Sequence, residues 1–422
     1  MPTPAPTPAP EPEPTDAGFI FVTPTPSAID DQTSDSDDLS GNFSQTITNT
    51  SATQSGTTSL VENSGNNDNL VTATLPPGVT ITSEGSATSQ STQIALESLT
   101  QSILNRNTAA DTEEAAALIQ QVQSFISRLP DSTKVDVRTV IPTSTSAELG
   151  QPIVITGSTA TQPGFESNTG SSSQTEAFII DLSQMPAGTG TLTQLELHNI
   201  DLAVIIGPAE ISGGSGSNVV HADDDIQHIV LGEDDDTLHG GGGNDTIGSA
   251  GGDDLLIGGR GQDLITGGAD NDTLKGGPQT DLLFGGQGRD HLKAGRGDDT
   301  LKGGRGQDTL RGSSGDDLLK GQLYHDSLHG GSGDDTLFGG KGQDTLTGAE
   351  GSDTFKLSKG NDTIRDFSIT EGDLINAPNN LNLQLIQRGN HLLLKDSDHN
   401  IKTTLLNINS DDLITYQPEL FG

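Results

Sequence analysis

The spacing of apolar positions changes character four times along the chain. In residues 1–90 they stand isolated among Pro, Thr, Ser, Asn and Gln. Such a segment buries too little surface to offset ordering entropy, so residues 1–90 are expected to form a disordered tether, its opening prolines extended as polyproline II. Between residues 92 and 129 the spacing turns helical. Leu96, Leu99 and Ile103 form one stripe, and Leu118, Val122, Phe125, Ile126 and Leu129 form a second, which predicts two paired amphipathic helices within residues 91–132. Thr112 before Glu113 and Glu114 suits an N-cap with acids in the first turn, and Pro130 ends the second helix. Short β-type runs follow at 135–141, 153–156, 177–182 and 192–206, separated by Gly, Ser, Thr and Pro, and predict a small β-rich domain over residues 133–212.

A period of nine then takes over. Residues 231–365 are fifteen consecutive nonapeptides in one phase, with the unit G-G-x-G-x-D-x-U-x and U a large apolar residue. Position eight runs Leu238, Ile247, Leu256, Ile265, Leu274, Leu283, Leu292, Leu301, Leu310, Leu319, Leu328, Leu337, Leu346, Phe355 and Ile364. Position six is Asp throughout: Asp236, Asp245, Asp254, Asp263, Asp272, Asp281, Asp290, Asp299, Asp308, Asp317, Asp326, Asp335, Asp344, Asp353 and Asp362. Each unit reads as a six-residue turn and a three-residue strand whose middle side chain points inward. Two units close a coil of eighteen residues, and stacked coils make a mainly β fold, a right-handed parallel β-roll with an aliphatic core. A flexible glycine-rich linker would not hold Asp and Leu in two columns.

The same phase reaches upstream through 213–221 and 222–230, placing Asn218 and Gln227 in the aspartate column. The roll is therefore expected to start near Gly213, without a cation there, and to span residues 213–365. Asp270, Gln279 and Tyr324 replace the position-four glycine, and Gln322 the position-two glycine. Unit 321–329 is the expected gap, which leaves Asp326 outside the expected ligand set.

Charge turns this pattern into chemistry. The chain has 59 acids against 20 Lys and Arg, net −39; the array holds 24 acids and 13 bases, and the rest 35 and 7. Aspartates eighteen residues apart, such as Asp245 and Asp263, stack on one edge and repel unless a cation neutralises them. Calcium is the apt cation, because it takes six to eight oxygens and tolerates mixed carboxylate and carbonyl cages. Zinc would favour His or Cys; His does not recur in phase and the chain has no Cys. Arg260, Lys275, Lys302, Arg305 and Lys320, at positions three and nine, project beside the turns as a solvated face. The acidity argues against nucleic acid and anionic lipid as partners, and no apolar run approaches the roughly 20 residues of a membrane span. Neither H-E-x-x-H nor G-x-S-x-G occurs, and His239, His291, His325 and His329 fall at outward turn or strand-end positions, so no catalytic residue is assigned.

The array resembles the RTX, or haemolysin-type calcium-binding, repeat family over about a third of the chain. The resemblance implies several Ca2+ ions between adjacent turns, held by the position-six aspartates other than Asp326 and by carbonyls of turn glycines. Here those are Gly241, Gly243, Gly259, Gly261, Gly286, Gly288, Gly295, Gly297, Gly304, Gly306, Gly331, Gly333, Gly340 and Gly342. It also implies a chain unfolded in the calcium-poor cytosol and folded outside, exported by a bacterial type I machinery that reads an uncleaved C-terminal signal. Residues 361–367 and 372–375 are similar to the segment that closes such rolls before a β-rich cap, here 366–422, with strands at 381–387 and 392–395 turned at Arg388-Gly389-Asn390. The opening residues lack the basic and apolar stretches of a cleavable secretory signal. The expected function is that of a secreted or cell-surface calcium-binding protein without enzymatic activity. The alternative is a secreted enzyme acting on polysaccharide or another extracellular polymer through an unrecognised site in residues 133–212.

Overall fold

The nonapeptides become half-coils. In the computed structural model Thr237 faces Leu255 and Leu255 faces Thr273, rung above rung in one parallel sheet. Leu264, Leu282 and Thr300 stack likewise in a second sheet. Within the nonapeptide array every rung lies eighteen residues from the next, as two nonapeptides require. The chain is mainly β, about 54% strand, and a parallel solenoid of about 10 turns occupies residues 194–376. The structure describes residues 19–22, 42–49, 55–61, 71–76, 78–86, 90–106, 112–144, 152–156, 174–185, 193–198, 201–213, 216–378 and 381–420.

Position-eight side chains from both sheets fill the space between them. From Leu238 to Ile364 none is more than 2% exposed. Leu301 stacks between Leu283 and Leu319 in the second sheet, and a truncation there leaves a cavity that rigid neighbouring coils cannot close. Leu301→Ala is expected to cost about 2–5 kcal/mol, read by urea denaturation in saturating calcium. A loss below about 1 kcal/mol would contradict a close-packed interior.

The solenoid begins earlier than residue 213, which corrects the expected start of the roll. Thr193–His198, Ala209–Gly213 and Gln227–Val230 are successive parallel rungs of the second sheet. Gln174–Asp181, Leu202–Ile206, Val219–Ala222 and Thr237–Gly241 are successive rungs of the first. The ladder does not break at residue 212. What changes there is coil length: rungs are sixteen residues apart from Thr193 to Ala209, seventeen from Ala203 to Val220 and twenty-five from Ala177 to Leu202. Unequal coils stack as well as equal ones but leave no period in the sequence.

The two helices form where the helical spacing puts them, α1 at Thr92–Arg106 and α2 at Thr112–Ile126. Leu99 and Ile103 of α1, with Leu118, Val122 and Ile126 of α2, pack on Val137, Ile179 and Val204 of the first sheet. The helices thus cover the outer face of the early rungs. This explains why Leu202–Ile206 is apolar at every position and buried throughout, where an alternating strand would leave one face wet. Arg106, closing α1, pairs with Asp181 at 2.8 Å and Glu84 at 3.2 Å.

The disordered tether expected over residues 1–90 also needs correction. Asn42–Asn49, Gly56–Val61, Val71–Leu75 and Val79–Ser86 are strands, and they add antiparallel onto the first rungs of both sheets. Ile47, Ala73, Leu75, Val79 and Ile81 are completely buried. Their spacing is two, among β-favouring threonines, and the end of the solenoid supplies the apolar surface these segments lack alone. Thr48 and Thr80 meet across the ladder at 2.9 Å between their hydroxyl oxygens. The polyproline expectation for the opening residues lies outside the described residues.

At the other end, Gln384–Arg388 and His391–Asp396 form the expected hairpin, with Arg388 opposite His391. Ile401–Leu405 pairs antiparallel with that hairpin and parallel with Lys359–Ile364, sealing the edge of the first sheet. A short helix, α3 at Ser410–Tyr416, was not anticipated. Its N-cap is Asn409, whose side chain accepts from the Asp411 amide at 2.8 Å, and Leu413 anchors it in the core. Among the described residues no helix is long and apolar enough to cross a membrane.

Candidate metal centres along the turns

The position-six aspartates form two continuous ladders, one along each edge of the roll. Each Oδ1 accepts a hydrogen bond from the backbone amide of the aspartate one coil earlier: Asp236 N to Asp254 at 2.7 Å, Asp299 N to Asp317 at 2.8 Å, Asp335 N to Asp353 at 2.9 Å. The carboxylates are thereby oriented and sunk into the turns. Their other oxygens are not satisfied. The Oδ2 atoms of Asp236, Asp245, Asp254, Asp263, Asp272, Asp281, Asp290, Asp299, Asp308, Asp317, Asp326, Asp335, Asp344 and Asp353 are buried without a hydrogen-bond partner. One such oxygen is costly. Fourteen in register demand a common explanation.

Position one supplies the second half of the cradle. A methyl group added at Gly240 would lie 2.5 Å from Asp245 Oδ2 and 2.7 Å from the carbonyl oxygen of Gly258 on the next coil. The same pair of oxygens crowds Gly267, from Asp272 and Gly285, and Gly321, from Asp326 and Gly339. A carboxylate oxygen and a backbone carbonyl of the adjacent turn therefore converge where glycine leaves space. Among the described residues no three His, Asp or Glu side chains converge as a side-chain-only metal site requires. Mixed carboxylate and carbonyl oxygen is the donor set of a hard divalent cation. The residues present fit calcium: the orphan Oδ2 atoms and the position-one carbonyls would hold it, and bound calcium supplies the positive charge that the buried carboxylates lack.

Proton affinities report the same frustration. Burial, first of all, raises Asp245, Asp272 and Asp326 from 3.8 to about 8. Asp254, Asp281, Asp317, Asp335 and Asp362 rise to about 7. Asp236, Asp263, Asp290, Asp299, Asp308 and Asp353 rise to about 6, and Asp344 is raised as well. Neighbouring aspartates add to burial at many rungs; Asp272, for one, feels both Asp254 and Asp290.

The glycines at positions two and four, whose carbonyls the family resemblance assigns to calcium, also set the turn's shape. Gly259 and Gly261 have φ of +113° and +128°, and a side chain at Gly261 would overlap the carbonyl oxygen of Gly243. The carbonyl of Gly241 accepts from the Arg260 amide at 2.8 Å, a bond from coil to coil. Gly261→Ala is expected to cost at least about 3 kcal/mol and to raise the calcium midpoint, whereas Gly389→Ala, in open space at φ +61°, costs about 1 kcal/mol. Equal effects in calcium-titrated melts would refute the close approach between coils.

Several residues stand differently from the sequence reading. Asp270, Gln279, Gln322 and Tyr324 replace glycine yet keep φ between +72° and +83°, so the turn of unit 321–329 is retained. Asp326 accepts from the Asp308 amide at 3.0 Å and carries the same orphan Oδ2 as its neighbours; the expected gap is absent from the geometry. Asp362 is the exception, since its Oδ2 accepts from the Ser358 hydroxyl at 2.8 Å. The column also continues past the last nonapeptide. Asp373 accepts from the Asp353 amide at 2.9 Å, reached after twenty residues; Asp373 and Ile375 repeat the spacing of positions six and eight, a signal the strict period of nine hides. Upstream, the amides of Asn218 and Gln227 donate to Asp236 and Asp245, so both occupy the column as expected. His239 points outward from its strand but lies beneath α2, where Gln121 approaches its Nδ1 at 3.4 Å and burial lowers its pKa to about 4.

Ladders of buried carboxylates on both edges of a parallel β-roll define a cation-binding repeat solenoid. Residues 212–364 match the model of the RTX calcium-binding nonapeptide repeat, in overlapping four-copy windows from 212–247 to 329–364. The chain thus carries RTX calcium-binding repeats, and its roll is a calcium-binding β-roll. No curated protein matches the chain.

Proposed function

We propose that the protein works outside the cell, as a secreted or surface-held solenoid that orders itself on extracellular calcium and performs no catalysis. The carrying observation is the unbroken series of fourteen buried, unsatisfied carboxylate oxygens. A chain that must bury these groups is poorly stable where calcium is scarce and stable where it is plentiful, because anything that binds the folded state alone stabilises it by mass action. Extracellular calcium modules bind at roughly 10⁻⁴ to 10⁻³ M, a range that separates cytosol from exterior. The chain would then leave the cell unfolded through a type I machinery, guided by its C-terminal region, and fold on arrival. The calcium sites lie on the two edges, leaving the broad sheet faces to meet a partner.

Expression in a bacterial host with and without a type I exporter tests this reading. The full chain is expected in the medium only with the exporter, and a chain lacking residues 366–422 is expected to stay inside. Folded, protease-resistant roll recovered from a calcium-chelated lysate would overturn it.

A further inference from the structure

The outer face of the first sheet carries bases that the calcium sites do not use. Lys275, Lys293 and Arg311 stand in register on successive rungs, and all three are exposed. Among the described residues no carboxylate lies within 4.0 Å of any of them. Like charges directly opposite one another weaken a ladder. A chain with 59 acids has ample means to pair them, so the bare column is suited to an anion from outside.

At Lys275 and Lys293 the column is walled. Helix α2 overhangs the sheet there, and a cavity of about 490 Å³ opens between them, within the range of small-molecule sites. The helix contributes the exposed Ala117, the buried Leu118 and Gln121, and the sheet Ile257 and Ala294, beside the two lysines. Arg260 also reaches the cavity but is held by Asp224 at 2.5 Å. Two unpaired cations therefore share the cavity with the exposed methyl of Ala117 and the half-buried Ile257, and Gln121 is the polar residue that α2 adds. A small inorganic anion gains nothing from that wall, and a neutral hydrocarbon gains nothing from the lysines.

We propose that this cleft binds an anionic amphiphile, its carboxylate or sulfonate head on Lys275 and Lys293 and its hydrocarbon body along Ala117 of α2 and Ile257 of the sheet. The amphiphile shields the like charges while covering the exposed Ala117 of α2 and the half-buried Ile257 of the sheet.

Isothermal titration of the calcium-loaded full chain with 1-octanesulfonate tests the assignment, with octanol and methanesulfonate as the uncharged and tailless probes. One saturable site is expected for octanesulfonate, with both controls at least tenfold weaker. The double variant K275Q/K293Q, and separately Ala117→Glu at an exposed position of the wall, are each expected to weaken octanesulfonate roughly tenfold. Lys302→Gln, on the opposite sheet, is expected to change nothing, and circular dichroism verifies the roll in every variant. The proposal fails if octanesulfonate does not bind, if either control binds as well as it does, or if K275Q/K293Q and Ala117→Glu leave its affinity unchanged.

Discussion

Chelating calcium at pH 7.5 is expected to remove most of the β-signal contributed by residues 231–365, and restoring calcium at millimolar concentration to recover it cooperatively. Rungs of a sheet lie about 4.8 Å apart, and two carboxylates at about that distance repel by roughly 3 kcal/mol at an effective dielectric constant of 20. A few such pairs consume the 5–15 kcal/mol by which ordinary domains are stable, and fourteen orphan carboxylate oxygens stand on these edges. The core has one inward side chain per nonapeptide to set against that cost, since positions seven and nine face outward. Magnesium should not substitute at equal concentration, because it demands a tighter octahedron than a carboxylate and a turn carbonyl offer. Each coil touches only its neighbours, so the transition should be steep. Early rungs such as Leu202–Ile206, buried on both faces under α1 and α2, should keep their signal. Far-UV circular dichroism during an EGTA titration reads all three features. A spectrum indifferent to calcium would mean that something other than calcium satisfies the buried oxygens.

The parts of this molecule legible in its sequence are those where one residue type is forced by geometry at every repeat. Position eight must fill the space between two sheets, so Leu238 to Ile364 form an apolar column. Position six must orient a carboxylate into the next turn, so aspartate recurs without exception. Where stacking continues on coils of sixteen, seventeen or twenty-five residues, as between Ala177 and Val220, no position is constrained by count, and the same sheets pass for a separate β-rich region. Asp373 escaped for the same reason, displaced by two residues from the column it extends. The strands at 42–49 and 79–86 escaped because their apolar faces suffice only against the end of a solenoid already formed. Position-one glycines were harder still. Their role lies in the space they leave between an orphan carboxylate oxygen and a carbonyl one coil away, a relation between residues eighteen apart that no single motif spells out. Gln322 and Tyr324 show the converse, since residues that break the motif need not break the turn.

Acid should do part of calcium's work. The position-six aspartates are raised from 3.8 to values between about 6 and about 8 in the folded roll, chiefly by burial. The folded state therefore holds more protons than the unfolded chain between about pH 4 and pH 8. Calcium-free stability is fully present below the ordinary carboxylate range and is lost as pH rises through 6 to 8. At pH 5, above the isoelectric point of about 4.1, the chelated chain is expected to regain much of the β-signal it lacks at pH 8. Calcium must displace those protons, so its midpoint concentration should rise on the order of tenfold per pH unit for each proton released per ion. Two opposed trends follow from one set of carboxylates, with folding in chelator improving as pH falls while apparent calcium affinity worsens. Asp299→Asn, which keeps the shape but removes a charge from the ladder, should move the chelated protein toward folding at pH 8 and weaken calcium at the same rung. Parallel circular-dichroism titrations at pH 5, 6, 7 and 8, with EGTA and with calcium, read both trends. A chelated chain equally unfolded at pH 5 and pH 8 would show that carboxylate repulsion does not hold the apo roll open, and the glycine-rich turns would then carry the cost.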